Sequence, residues 1–72
     1  MATDYLDIVL LGKEYRVSCT PENKEALRSA VSYVDGKLVE LADKTHASGE
    51  RLAVMTALNI AHEFLMYQRS GG

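Results

Sequence analysis

Residues 5–19, with the sequence YLDIVLLGKEYRVSC, decide the fold because they predict two strands joined by a tight turn. The first run is rich in strand-forming residues, and Gly12 interrupts it. In the second run Tyr15, Val17 and Cys19 alternate with polar residues, which is the pattern of a half-buried strand. Gly12 can supply the positive φ that a two-residue hairpin turn requires. We therefore expect a β-hairpin over residues 5–19.

A first amphipathic helix is predicted over residues 21–44. Its apolar side chains recur at alternating spacings of four and three residues, at Leu27, Val31, Val34, Leu38 and Leu41. Thr20 is placed to cap the helix, and Pro21 suits its first position, where a missing N–H costs nothing. Gly36 lies inside the pattern, and both close packing and simple tolerance at the surface are open interpretations of it.

A second helix is predicted over residues 50–69, with Ser48 as its N-cap. Apolar side chains cover most of its circumference and leave only a narrow polar stripe, made of Thr56, Asn59 and Glu63. A helix of this kind needs partners on more than one side, and one short chain covers one side only. The sequence therefore predicts a homodimeric α+β fold, a hairpin followed by two antiparallel helices, as a single domain over residues 1–72.

The predicted dimer interface lies on the second helix, at Leu52, Met55, Leu58, Asn59 and Phe64. Asn59 has two interpretations that the sequence leaves open. It can belong to an exposed polar stripe, or it can be a buried polar residue that fixes register and oligomeric state at some cost in stability.

Composition limits the class of protein further. The 72 residues include eight basic and ten acidic ones, for a net charge of −2, so no basic nucleic-acid footprint is expected. The single cysteine, Cys19, cannot close an intrachain disulfide, which suggests a reducing compartment. Neither a signal peptide nor a membrane-spanning run is recognisable, and the predicted location is the cytoplasm. Because a chain this small has a marginal core, oligomerisation is the expected source of added stability.

No residue pattern in the sequence indicates catalysis. His62-Glu63 begins like the metalloprotease motif H-E-x-x-H, but Met66 stands where the second histidine ligand is needed. Cys19 has no base at a recognisable spacing, and no glycine-rich phosphate-binding loop is present. We expect no enzyme activity, no metal and no cofactor. Taken alone, the residues indicate a small homodimeric adaptor, and an antitoxin-like binding module is the alternative.

Three stretches resemble the bacterial cell-division protein ZapA family. Residues 7–17, DIVLLGKEYRV, are similar to the N-terminal hairpin of that family, and residues 57–63, ALNIAHE, are similar to its second helix. The helix start at residues 19–22, CTPE, is also similar. The resemblance extends from Asp7 to about Gln68, and it rests on the order and spacing of the three stretches.

The resemblance implies a non-enzymatic, cytoplasmic partner of the tubulin-like protein FtsZ at the division site. Members of the family dimerise through the hairpin and helices, form tetramers through a coiled coil, and crosslink FtsZ filaments. The positions implied in FtsZ contact are Lys13, Arg16, His46 and Glu50. His46 departs from the arginine of similar proteins. Since Gly71 and Gly72 end the second helix, we expect a head domain without the coiled coil, which forms dimers rather than tetramers and bundles filaments weakly.

Overall fold

The computed structural model describes residues 3–70, which form two strands, one short 3₁₀-helix and two α-helices. In chain order the elements are β1 (Asp4–Leu10), β2 (Lys13–Cys19), the 3₁₀-helix (Pro21–Asn23), α1 (Lys24–Thr45) and α2 (Gly49–Arg69). The two strands pair in an antiparallel sheet. This order confirms the predicted α+β fold of a hairpin followed by two helices.

The chain divides into two compact units, the first ending at Gly36 and the second beginning at Lys37. The first unit contains the hairpin, the 3₁₀-helix and the N-terminal part of α1, and the second contains the rest of α1 and all of α2. A Cβ placed on Gly36 would meet no atom within 4 Å. Tolerance at the surface, rather than close packing within this chain, is therefore the interpretation of Gly36 that fits.

The hairpin turn consists of two residues, Leu11 and Gly12. Their φ angles are 54° and 72°, and two consecutive positive φ angles are what a type I′ turn requires. The prediction that Gly12 supplies a positive φ is confirmed. The left-handed conformation of Leu11 is not apparent from the sequence, because it costs a residue with a Cβ roughly 1–2 kcal/mol. The hairpin thus holds a strained apolar residue at its end.

The pairing of β1 with β2 is regular from the closing pair Leu10–Lys13 outward. Leu6, opposite Val17, is buried, so the face that contains both residues is the inner face of the hairpin. The outer face contains Asp7 and Arg16 and is exposed to solvent. Tyr15 lies on the inner face by alternation but is exposed, because burial decreases toward the turn. The apolar face of the predicted hairpin is therefore only partly covered.

Both predicted capping residues occupy the extended backbone conformation of an N-cap, but neither forms the expected side-chain hydrogen bond. The Thr20 side chain makes no cap, and its carbonyl oxygen instead accepts a hydrogen bond from the Asn23 N–H at 3.0 Å. The Ser48 side chain likewise makes no cap at the start of α2. Ser48 is the N-cap residue of α2, as predicted. The predicted side-chain cap by Thr20 is wrong, because at Thr20 the chain enters a 3₁₀ turn with Pro21 in its first position rather than an α-helix.

In the second unit, the side of α2 that faces the core contains polar residues. Leu38 and Leu52 are buried there together with Thr56, which is 2% exposed. Lys37 of α1 forms an ion pair with Glu63 of α2, two turns beyond Thr56. The predicted polar stripe of α2 is therefore turned inward rather than toward solvent, and most of the apolar circumference of the helix stays exposed.

Candidate partner-binding surfaces

Arg16 is held on the outer face of the hairpin by two partners. Its Nε donates a hydrogen bond to Asp7 Oδ1 at 2.9 Å, and one terminal nitrogen donates to Oδ2 at 3.4 Å. Its guanidinium carbon also lies 5.9 Å from the centre of the Tyr5 ring, within cation–π range. The hydrogen bond from Arg16 lowers the pKa of Asp7, and the carboxylate in turn raises the pKa of Arg16. Arg16 is therefore exposed but already engaged within the hairpin.

Lys13 is the freer cation of the hairpin. It opens β2, opposite Leu10 and next to the turn, and its side chain is exposed. Among residues 3–70 the structure shows no ion pair for Lys13. Lys13 and Arg16 are three positions apart along one strand, so their side chains point to opposite faces of the hairpin. The two predicted contact residues consequently cannot present one continuous basic face.

A further ion pair joins the open end of the hairpin to α1. Lys24 Nζ lies 2.8 Å from Asp4 Oδ2, and hydrogen bonding to Lys24 lowers the pKa of Asp4. The backbone N–H of Tyr5 also donates to Asp4, at 2.8 Å from Oδ1. The Asp4 side chain thus joins the start of β1 to the start of α1 within the first unit.

His46 and Glu50 lie at the connection between the two helices. His46 has a φ of 60°, and its backbone N–H donates to the Ala42 carbonyl oxygen at 2.8 Å, which is how a helix ends on a left-handed residue. Glu50 is in the first turn of α2, where a negative charge is favoured by the helix dipole. Both side chains are exposed. The structure therefore leaves both predicted contact residues accessible at the connection between the two helices.

The predicted dimer residues of α2 fall into two groups by exposure. Leu52 is only 4% exposed and belongs to the core of the second unit, and Met55 and Asn59 are half-buried. Leu58 and Phe64 are 68% and 57% exposed. The second group is thus available to a partner as the structure stands.

Other exposed apolar side chains of α2 lie beside Leu58 and Phe64. Val54 and Leu65 are exposed, and at 100° per residue they fall between Leu58 and Phe64 around the helix axis. We call this set, Val54, Leu58, Phe64 and Leu65, the apolar face of α2. The sequence predicted apolar side chains over most of the circumference of α2, but it did not distinguish the exposed ones from the buried ones.

The hairpin end contains an exposed apolar residue that sequence reasoning did not single out. Leu11 is 40% exposed in a left-handed conformation, directly before Gly12. The sequence did contain a signal for this residue. Asparagine or aspartate is usual before the glycine of a two-residue turn, and a large apolar residue stands there instead.

No described group suggests a chemical centre. Among residues 3–70 there is no cluster of three or more metal-ligating side chains. Cys19 is free and half-buried, and His62 is exposed on α2. No helix in this part of the chain is long and apolar enough to cross a lipid bilayer.

These features define a class of small ββαα proteins with an exposed apolar face on the second helix and charged side chains on the hairpin. The sequence profile of the family described as cell division protein ZapA matches residues 6–71. The chain belongs to the ZapA family of cell division proteins.

Curated relatives agree with the family match. The chain is 41% identical over 61 residues to the cell division protein ZapA of Pseudomonas aeruginosa, covering 83% of this chain and 59% of the relative. It is 36% identical over 64 residues to the protein of the same name from Pectobacterium atrosepticum, covering 88% of this chain and again 59% of the relative. The chain therefore spans about 59% of the length of the relatives that it matches. No solved structure matches it significantly.

Proposed function

We propose that this chain is a non-enzymatic accessory protein that binds FtsZ filaments at the division site in the cytoplasm and promotes their association. The observation that carries the proposal is the match of residues 6–71 to a family of cell division proteins. The proposed function needs no catalytic residue, metal or cofactor. It calls for surfaces that bind other proteins, and both the hairpin and α2 expose side chains suited to that.

The proposal includes a homodimer formed through α2. The apolar face of α2 supports it, because contiguous exposed apolar surface of this kind marks interaction sites. Leu58 and Phe64 would lie at the centre of the interface, with Met55 and Asn59 at its border. Leu52 would act by fixing α2 in its own chain. A tetramer is proposed only for a chain that also carries a coiled coil.

The proposed contact with FtsZ is made by Lys13 and Arg16 in the hairpin and by His46 and Glu50 at the helix connection. All four side chains are exposed. Exposed ion pairs contribute only about 0.2–1 kcal/mol each, so a single set of contacts would bind weakly. A dimer that presents two sets gains from effective concentration, which is how a weak contact can hold filaments together.

Co-pelleting with polymerised FtsZ tests this function directly. We expect the chain to pellet with the polymer at about 50 mM salt and to be released as salt rises toward about 300 mM, because exposed charges are screened. Lys13→Ala should reduce pelleting without changing the fold, since Lys13 is exposed and opens β2 beside the turn. Arg28→Ala is the control, because Arg28 is an exposed cation of α1 that is not among the proposed contact residues and pairs with Glu25 at 2.7 Å.

Two further variants test the helix connection. His46→Asn keeps a residue that tolerates the left-handed backbone, and Glu50→Gln keeps the shape of the side chain. Both should weaken pelleting. A chain that stays in the supernatant at low salt while FtsZ pellets would overturn the proposal, and a DNA gel shift in the same buffer would reveal the nucleic-acid-binding alternative.

A further inference from the structure

We propose that Asp7 and Tyr5 are positioning residues, which hold the guanidinium of Arg16 on the outer face of the hairpin in the orientation that contacts FtsZ. The inference rests on the proposed function, in which Arg16 is a contact residue, and it adds two residues to that site. Asp7 and Tyr5 act through Arg16 and need not touch the filament themselves.

The register of the hairpin brings the three side chains together. Asp7 is paired with Arg16 across the strands, and Tyr5 lies two residues before Asp7 on the same face. Asp7 Oδ1 accepts a hydrogen bond from Arg16 Nε at 2.9 Å, and Oδ2 accepts one from Nη2 at 3.4 Å. The centre of the Tyr5 ring lies 5.9 Å from the guanidinium carbon. The guanidinium is therefore held along one edge by a carboxylate and on one side of its plane by an aromatic ring.

The guanidinium of Arg16 keeps donors that a partner can use. An arginine side chain has N–H donors and no acceptor, so the group that it contacts on another protein must be an acceptor. Asp7 accepts from Nε and Nη2, and no group of residues 3–70 accepts a hydrogen bond from Nη1. Because Asp7 lies on the Nε side of the guanidinium, the N–H groups of Nη1 lie on the edge away from it. That edge is the one that Arg16 would present to a filament.

Stability alone does not account for this arrangement. The side chains of Asp7 and Arg16 are each 68% exposed, and exposed ion pairs contribute little to folding. The pair does restrict the conformations that are open to Arg16. A long side chain that is already ordered loses less rotamer entropy on binding than a free one. Lys13, for which the described residues provide no ion pair, has no such support.

Competition is the opposite effect that the same ion pair could produce. If Asp7 competed with the partner for Arg16, loss of Asp7 would strengthen binding. The geometry favours positioning, because a competitor would be expected on the two terminal nitrogens, whereas Asp7 accepts from the Nε side and leaves Nη1 open.

The substitution Asp7→Ala tests the proposal in the co-pelleting assay, at about 150 mM salt, where the Debye length is about 8 Å. We expect the dissociation constant for FtsZ to rise about 2- to 10-fold, the effect of having to order one long side chain on binding. Tyr5→Leu, which removes the ring, should change the dissociation constant in the same direction. Glu25→Ala is the matched control, because it removes the carboxylate that pairs with Arg28 at 2.7 Å and makes the same change of charge. It should pellet like the unsubstituted chain.

A double-mutant cycle separates positioning from a general effect on the hairpin. In an Arg16→Gln background, Asp7→Ala should change the dissociation constant by less than about twofold, because no guanidinium is left to position. In a Lys13→Ala background, which keeps Arg16, the full rise should appear. If Asp7→Ala weakens binding equally in both backgrounds, its effect is on the structure of the hairpin and the proposal is overturned.

The other outcomes distinguish this inference from the proposed function. If Asp7→Ala pellets as well as the unsubstituted chain or better, Asp7 does not position Arg16, while FtsZ binding stands. The same holds if Arg16→Gln pellets normally, since Arg16 is then not a contact residue. If the unsubstituted chain fails to pellet with FtsZ, the proposed function and this inference are both overturned.

Discussion

Thr56 is the residue whose chemistry fits its position least well. Its side chain is 2% exposed, and its Oγ1 has no hydrogen-bond partner among the described residues. Leaving a buried polar group without a partner costs about 1–3 kcal/mol, whereas an apolar group of the same shape avoids that cost. We therefore expect Thr56→Val to raise the free energy of unfolding by about 1 kcal/mol or more, measured by urea denaturation.

Thr56→Ala serves as the control for this substitution. It removes the hydroxyl but also a methyl group from a packed site, so its gain should be smaller than that of Thr56→Val. A loss of stability in Thr56→Val would contradict the expectation and show that the hydroxyl has a partner in solution. Asn59 Oδ1 is a second buried acceptor without a described partner, one turn further along α2.

At the scale of the element, the hairpin contains two carboxylates whose pKa values are lowered by neighbouring cations. A carboxylate with a lowered folded-state pKa adds stability above its unfolded-state pKa of about 3.9, and that contribution is lost as pH falls through the folded-state value. Asp7 beside Arg16 and Asp4 beside Lys24 are both in this situation. The hairpin should therefore weaken on acidification below about pH 4, and only modestly, because both pairs are exposed.

NMR titration of the two carboxyl groups checks this, and the chain provides reciprocal controls. Arg16→Gln should raise the titration midpoint of Asp7 and leave that of Asp4 unchanged. Lys24→Gln should do the reverse. Midpoints that do not respond to either substitution would show that the pairs do not form in solution.

The elements themselves are predictable because their signals are local. Alternation and Gly12 locate the hairpin, and the four-three spacing from Leu27 to Leu41 locates α1. The orientation of α2 is not predictable in this way, because a helix with apolar side chains on most of its circumference offers no single face to bury. The ion pair between Lys37 and Glu63 accompanies the inward turn of the polar row, and such a pairing between distant positions leaves no periodic signal.

The charged contact residues were proposed from a resemblance, and their environments follow from tertiary structure. Arg16 is bound to Asp7 across the strands, and Lys13 is not. Residue type alone does not distinguish them, because both are basic; the register of the hairpin does, since it places Asp7 opposite Arg16 and Leu10 opposite Lys13. The same holds for Leu11, whose strain depends on how the two strands close on the turn.

At the scale of the whole molecule, the exposed apolar face of α2 predicts self-association. Burying a leucine side chain contributes about 1.5–3 kcal/mol, so Leu58→Asp should raise the dimer dissociation constant by about tenfold or more in sedimentation equilibrium. Val39→Asp is the matched control, since Val39 is as exposed as Leu58 but lies on α1. If the unsubstituted chain sediments as a 7.9 kDa monomer at micromolar concentration, the predicted dimer is contradicted.

The regular two-residue turn also has a consequence for the order in which the chain folds. Every cross-strand pair, from Leu10–Lys13 to Asp4–Cys19, joins residues that are close in sequence, so closing them costs little chain entropy. Hairpins form in about 1–10 μs, and a rigid turn of fixed hand leaves few alternative registers to search. The strands should therefore be paired transiently while the helices are still forming, and Gly12, whose φ is 72°, would set the rate of that first step.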